Sequence, residues 1–173
     1  INMLPARHID GPKTEEEKSW EKQFNLDYVS QSGYFAIQST KPQTLSYAMM
    51  DSPLGVAAWI IVKFHHLSDL KDGSLDLTYK KDDLLTNIMI YILTKTFNTS
   101  SWIYYGRVNE GGRILSKEGR RVEVPTGCAV YPKEFLTWPP KSYVERLFNL
   151  VHWTEMDKGG HFAALEQPSS LIK

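Results

Sequence analysis

The sequence holds a single cysteine, Cys128, in 173 residues, which excludes an internal disulfide and any CxxC metal site. Charge of one sign is lacking too, since 20 basic residues balance 20 acidic ones. No basic field exists to hold nucleic acid or an anionic lipid surface. The densest run of like charge is the glutamates at 15 to 17, which reads as a solvated helix start rather than an interaction tail. No stretch reaches about 18 consecutive apolar residues, and INMLPARHID lacks the build of a signal peptide. The expectation is a chain that neither spans a membrane nor carries its own export signal, with a cytoplasmic setting favoured. Repeats and low-complexity segments are missing as well. What remains, with 42% hydrophobic residues, is globular material for about one domain or a little more.

Two textures divide the chain. From Pro12 to about Gly111 the signals are helical. Thr14 and Glu17 have capping-box spacing after Pro12, and Trp20, Phe24 and Tyr28 follow on one face of a helix predicted to end near Gly33. Ser52 and Pro53 form an N-cap and N1 pair ahead of VAAWIIVKF, where Val56, Ile60 and Phe64 are in register. DDLLTNIMIYILTKTF, from Asp82, predicts a third helix with an acidic start. Thr99 or Ser100 is placed to cap a fourth through SWIYYGRV.

After the loop NEGGRILSKEGR, residues 122–130 and 149–156 read as short strands, with a Pro-rich segment and a helix candidate between them. Strand, helix, strand, helix is the pattern of a parallel sheet, whose ligand sites lie at the carboxyl ends of the strands. Glu134 follows the first strand and His161 the second. Both are therefore predicted on the same edge.

His161, set between GG and FAALEQP, is the sharpest chemical feature. Glycines let the backbone turn tightly there, and a histidine held on such a turn can act as a general base if a carboxylate orients it. A lone loop histidine is more often an ordinary surface residue, and Glu134 on the adjacent loop is what strengthens the catalytic reading. Asp157 is a rival acid whose closeness in sequence marks it as a turn residue. A nucleophile is lacking: no GxSxG occurs, and Cys128, in mid-strand within VPTGCAV, reads as a buried, inert thiol. His65 and His66 stand about 100° apart on a helix and cannot chelate together. Asn98–Thr99–Ser100 matches a glycosylation sequon without an export signal to support it. Taken alone, Tyr34 and Tyr105 read as packing residues.

SGYFAIQSTKPQTL, DSPLGVAAWIIVKF, DDLLTNIMIYI, VPTGCAVYPKE and GGHFAALEQP together resemble consecutive blocks of the microsomal-type epoxide hydrolases, an α/β-hydrolase family with a helical cap. The resemblance implies the α/β class, specifically the C-terminal part of an α/β-hydrolase fold with a mostly helical cap. Residues 1–11 would be the end of a core strand and a linker, 12–111 the cap, and 112–173 the closing core segment. It further implies that Tyr34 and Tyr105 donate hydrogen bonds to the epoxide oxygen, with Tyr104 as an off-by-one alternative to Tyr105. Glu134 would orient His161, and His161 would activate the water that hydrolyses a covalent aspartyl ester to a diol.

The implied partners are a small apolar epoxide and an N-terminal half of the same enzyme that carries the aspartate, with room for a homo-oligomer. No cofactor or metal is implied. Two other classes share these features: a noncatalytic binder of apolar ligands, and an ester or haloalkane hydrolase of similar core. A serine in the upstream strand-to-helix turn would mark an esterase, and the cap tyrosines argue against a haloalkane enzyme.

Overall fold

A computed structural model describes residue 8, residues 10–111 and residues 119–171. Most of the strand end expected over 1–11, and the 112–118 stretch of the long loop, lie outside the described residues.

The first helix, α1 (Glu15–Gln31), starts where the sequence places it. Thr14 Oγ1 accepts the Glu17 N–H at 3.1 Å, while Glu17 Oε2 accepts the Lys13 and Thr14 N–H groups, completing the capping box. Its apolar stripe turns mostly away from the helical half, with Tyr28 at its end meeting Phe35 edge to face. Trp20 and Phe24 pack with Leu136, Tyr143 and Leu147 from the far end of the chain. Trp20 Nε1–H donates to the Thr137 carbonyl at 2.8 Å, and Asp27 accepts from the Thr137 N–H at 3.0 Å. α1 thus bridges the helical half and the strand-bearing half.

The helical layer follows: α2 (Gly33–Thr40), α3 (Pro42–Asp51), α4 (Pro53–Leu67), a 3₁₀ turn (Lys71–Gly73), α5 (Leu75–Thr78), α6 (Lys81–Thr94) and α7 (Phe97–Asn109). Ser52 caps α4 by accepting the Gly55 N–H at 3.0 Å, with Pro53 at N1. The fourth helix of the sequence analysis begins earlier than its expected caps, at Phe97 behind Thr96. Lys95, in the left-handed region at φ 56°, ends α6 and turns the chain directly into α7. Phe97 is then buried against Val56 and Ile88, so burial sets the boundary where capping residues did not. Among the described residues, no single helix is long and apolar enough to cross a membrane; α3 and α4 together are apolar enough but bend by 118° between Asp51 and Pro53.

Two strands, β1 (Val122–Val130) and β2 (Phe148–Glu155), pair in parallel, as the sequence pattern predicts. α8 (Lys141–Leu147) makes the crossover between them. The ladder is irregular between Val122 and Pro125, where proline has no N–H to give. The short helices α9 (Ala163–Glu166) and α10 (Pro168–Leu171) end the described chain.

Glu17 does more than cap α1. Only 2% exposed, it receives the Arg146 guanidinium at 2.7 Å and Ser142 Oγ at 3.4 Å. Burial pushes its carboxyl up, but the Lys13 and Thr14 N–H groups and Arg146 outweigh this and hold it below its ordinary value. A depressed carboxyl stabilises the fold above its unfolded pKa, and that contribution is lost as pH falls through the folded value. Glu17→Ala is expected to cost on the order of 3 kcal/mol at neutral pH, because Arg146 loses its counter-charge. The deficit should shrink in acid, where wild-type Glu17 is itself neutralised by protonation. Denaturant unfolding at neutral and acidic pH checks this, and an equal deficit at both would remove the ion pair from the account.

Candidate active site

Beyond the strand ends the two loops continue side by side. Lys133 and Gly160 form a parallel bridge, and the Lys133 N–H donates to the Gly159 carbonyl at 3.0 Å. Glu134 and His161 are each the next residue on, so the bridge presents them together. His161 Nδ1 lies 2.9 Å from Glu134 Oε1 and 3.1 Å from Oε2. An ionised carboxylate only accepts, so this contact places the imidazole proton on Nδ1 and leaves the Nε2 lone pair available as a base. The Glu134 side chain is 11% exposed and that of His161 21%, which leaves water a path to the ring. Asp157 is exposed in the bend before the glycines.

The two glycines have distinct tasks. Gly159 adopts φ +111°, and a Cβ there would lie 2.7 Å from Tyr131 Cδ1. A Cβ on Gly160 would lie 2.7 Å from the Leu67 carbonyl oxygen, 2.9 Å from the Asp69 nitrogen and 3.0 Å from the Lys133 oxygen. The missing side chain lets the loop dock on the end of α4. There the His161 N–H donates to the Leu67 carbonyl at 2.8 Å, and Phe162 stacks on Phe64 at 4.2 Å.

The tyrosines divide unevenly. Tyr34 on α2 meets Tyr104 on α7 edge to face at 5.7 Å, and Phe35 meets the same Tyr104 ring at 5.6 Å. Burial pushes the Tyr104 phenol above its ordinary pKa, and Tyr91 adds to the shift, so Tyr104 stays a donor well into alkaline pH. The ammonium of Lys63 lies over the Tyr34 ring at 4.8 Å from its centre. Tyr105 is 40% exposed and packs on Trp102. The ring of Tyr34 thus meets that of Tyr104, while Tyr105, one position on, faces Trp102, as adjacent helix positions point different ways.

The remaining candidates have other settings. Cys128 is half-buried rather than fully buried, and its thiol is pushed up by burial, away from the reactive thiolate. The rings of His65 and His66 meet edge to face at 5.1 Å on the exposed side of α4. Asn98 accepts the Trp102 indole N–H at 2.9 Å within α7. Sequence reasoning did not find Asp69 and Glu166, which bond to the backbone on either side of His161. The signal available for Glu166 was an acid one turn after Phe162; Asp69 is too distant in sequence to give one.

Epoxide hydrolase 1 of Sus scrofa is 41% identical over 150 residues, covering 84% of this chain. Epoxide hydrolase 1 of Oryctolagus cuniculus is 39% identical and covers 100% of it. The solved Aspergillus niger epoxide hydrolase superposes with a TM-score of 0.74 at 26% identity, over 99% of this chain. The chain belongs to the microsomal-type epoxide hydrolases. Its fold is the C-terminal part of the α/β-hydrolase fold of that family, mostly helical with a small sheet. No family model matches the chain. The chain spans 33% and 40% of the two curated relatives' lengths and 42% of the solved structure.

The crowding at Gly160 makes a direct test of the docking. Gly160→Ala is expected to push the loop off Leu67 and Asp69 at a cost of about 1–3 kcal/mol, lengthening the Glu134–His161 contact. A crystal structure of the variant with the pair still at hydrogen-bond distance and the loop unmoved would contradict it.

Proposed function

We propose that this chain supplies the acid, the base and the ring-opening donors of an epoxide hydrolase. An aspartate from the remainder of the enzyme acts as nucleophile on a small apolar epoxide. The observation that carries the reading is the Glu134–His161 pair with its free Nε2, in a chain whose relatives are named epoxide hydrolases. In this division, residues 12–111 act as the cap, 112–173 as the closing part of the core, and 1–11 as the link from a core strand.

The chemistry runs in two steps. The aspartate oxygen attacks an epoxide carbon, the ring C–O bond breaks, and the electron pair goes to oxygen as a developing alkoxide that Tyr34 and a second phenol stabilise and protonate. The close approach of Tyr104 to Tyr34 supports Tyr104 as that second donor in place of Tyr105. Water then gives a proton to His161 Nε2 and attacks the ester carbonyl; the imidazolium returns that proton to the leaving diol oxygen, and the proton lost by the regenerated aspartic acid restores the phenol. Glu134 holds the ring tautomer and stabilises the imidazolium formed in this step.

The step in which each group acts is visible by mass spectrometry of the assembled enzyme. His161→Gln should open the ring and then stall, so the covalent ester accumulates as a mass increase equal to the substrate. Tyr34→Phe and Tyr104→Phe should each slow ester formation by about 10²-fold or more, with Tyr105→Phe close to wild type. An ester forming at full rate in the Tyr34/Tyr104 double variant would take both phenols out of the mechanism.

The reading also requires chain outside this one. Residues 1–173 alone are expected to turn over no epoxide, and adding the N-terminal remainder should restore diol formation. Turnover by the chain alone would place the nucleophile within it.

A further inference from the structure

His161 stands between two residues whose N–H groups donate to one carboxylate. Gly160 N–H reaches Glu166 Oε2 at 2.8 Å and Phe162 N–H reaches Glu166 Oε1 at 2.8 Å. The same Oε2 accepts the Asp69 N–H at 2.8 Å, from 97 positions away. Asp69 reciprocates through its side chain, Oδ2 accepting the Gly159 N–H at 2.9 Å. The Tyr79 phenol, 2.6 Å from Ser68 Oγ, is a further neighbour of Glu166.

A carboxylate that served only to cap α9 would need the N–H groups of its own loop and no others. The third N–H comes from just beyond the end of α4, in the helical layer, and turns a local cap into a tie between two parts of the molecule. Bonds to an ionised acceptor are about twice as strong as neutral ones. They act here on a Gly159–Gly160 segment whose backbone has the widest conformational choice in the loop. A general base must stand within hydrogen-bond reach of the water it deprotonates, and an error of about 1 Å can cost on the order of 10²-fold in rate.

We propose that Glu166, together with Asp69, is a positioning residue for the His161 base: it ties the N–H groups of both residues flanking His161 to the end of α4 and so fixes where Nε2 stands. This role rests on the reading of His161 as the base for ester hydrolysis. Glu166 meets no reacting atom, so its influence passes entirely through His161. Only the second half-reaction uses the base, and only that half-reaction feels the tie.

The test is single-turnover kinetics in the complete enzyme, following ester formation and ester hydrolysis separately. Glu166→Gln keeps the shape and one acceptor but loses the charge and the second acceptor. It should leave ester formation within about twofold of wild type while slowing ester hydrolysis about 10-fold or more. In a His161→Gln background the same substitution should change the residual hydrolysis by less than about twofold, as a residue acting through His161 requires. Asp69→Asn should show the same split more weakly, and carries the test if Glu166→Gln does not fold. Wild-type hydrolysis in Glu166→Gln, a loss shared equally by both half-reactions, or an undiminished further loss without His161 would each overturn the proposal. A wild-type enzyme that never forms an ester would instead bring down the hydrolase reading and this role with it.

Discussion

The arrangement depends on the approach of the Gly160 backbone to residues 67–69. A main-chain atom, and nothing larger, fits against the Leu67 carbonyl and the Asp69 nitrogen. The His161 N–H can therefore close a 2.8 Å bond to Leu67. Phe162 then lies on Phe64, which is buried with Tyr79 and Leu84. The sheet sets the direction in which the histidine loop leaves β2, but the end of α4 sets where the loop stops.

The acid is held from a different side. Phe135, next to Glu134, packs on the cluster of Trp20, Phe24, Leu136, Tyr143 and Leu147, with Leu136 fully enclosed. α1 grips the following residues through the Trp20 and Asp27 bonds to Thr137 and through the Glu17–Arg146 pair. Glu134 is thus anchored by the first helix and His161 by the fourth. The pair is a junction of three units rather than a property of one loop, and a disturbance in α1 or α4 reaches it without touching either side chain.

Local signals were the legible ones. Thr14 with Glu17, and Ser52 with Pro53, announce helix starts because capping is settled within four residues. The β-branched runs with a helix between them announce a parallel pair because a parallel connection needs a crossover. That topology in turn brings Glu134 and His161 to one edge. The start of α7 was not legible, since the burial of Phe97 overrode the capping residues that follow it. Nor was the contact of Tyr34 and Phe35 with Tyr104, which is made by the packing of α2 against α7. The bonds from Asp69 to the histidine loop join partners separated by 90 and 97 positions, and no pattern along the chain marks them.

That separation bears on how such chains can be recombined. The helical layer is a natural unit to exchange between relatives. The exchange would also replace Leu67, Ser68 and Asp69, half of the docking face of the histidine loop, while leaving Gly159, Gly160 and Glu166 behind. A chimera cut before residue 67 keeps both halves of that face from one parent; a cut after residue 69 mixes them. The choice of crossover point thus governs whether His161 inherits a compatible seat.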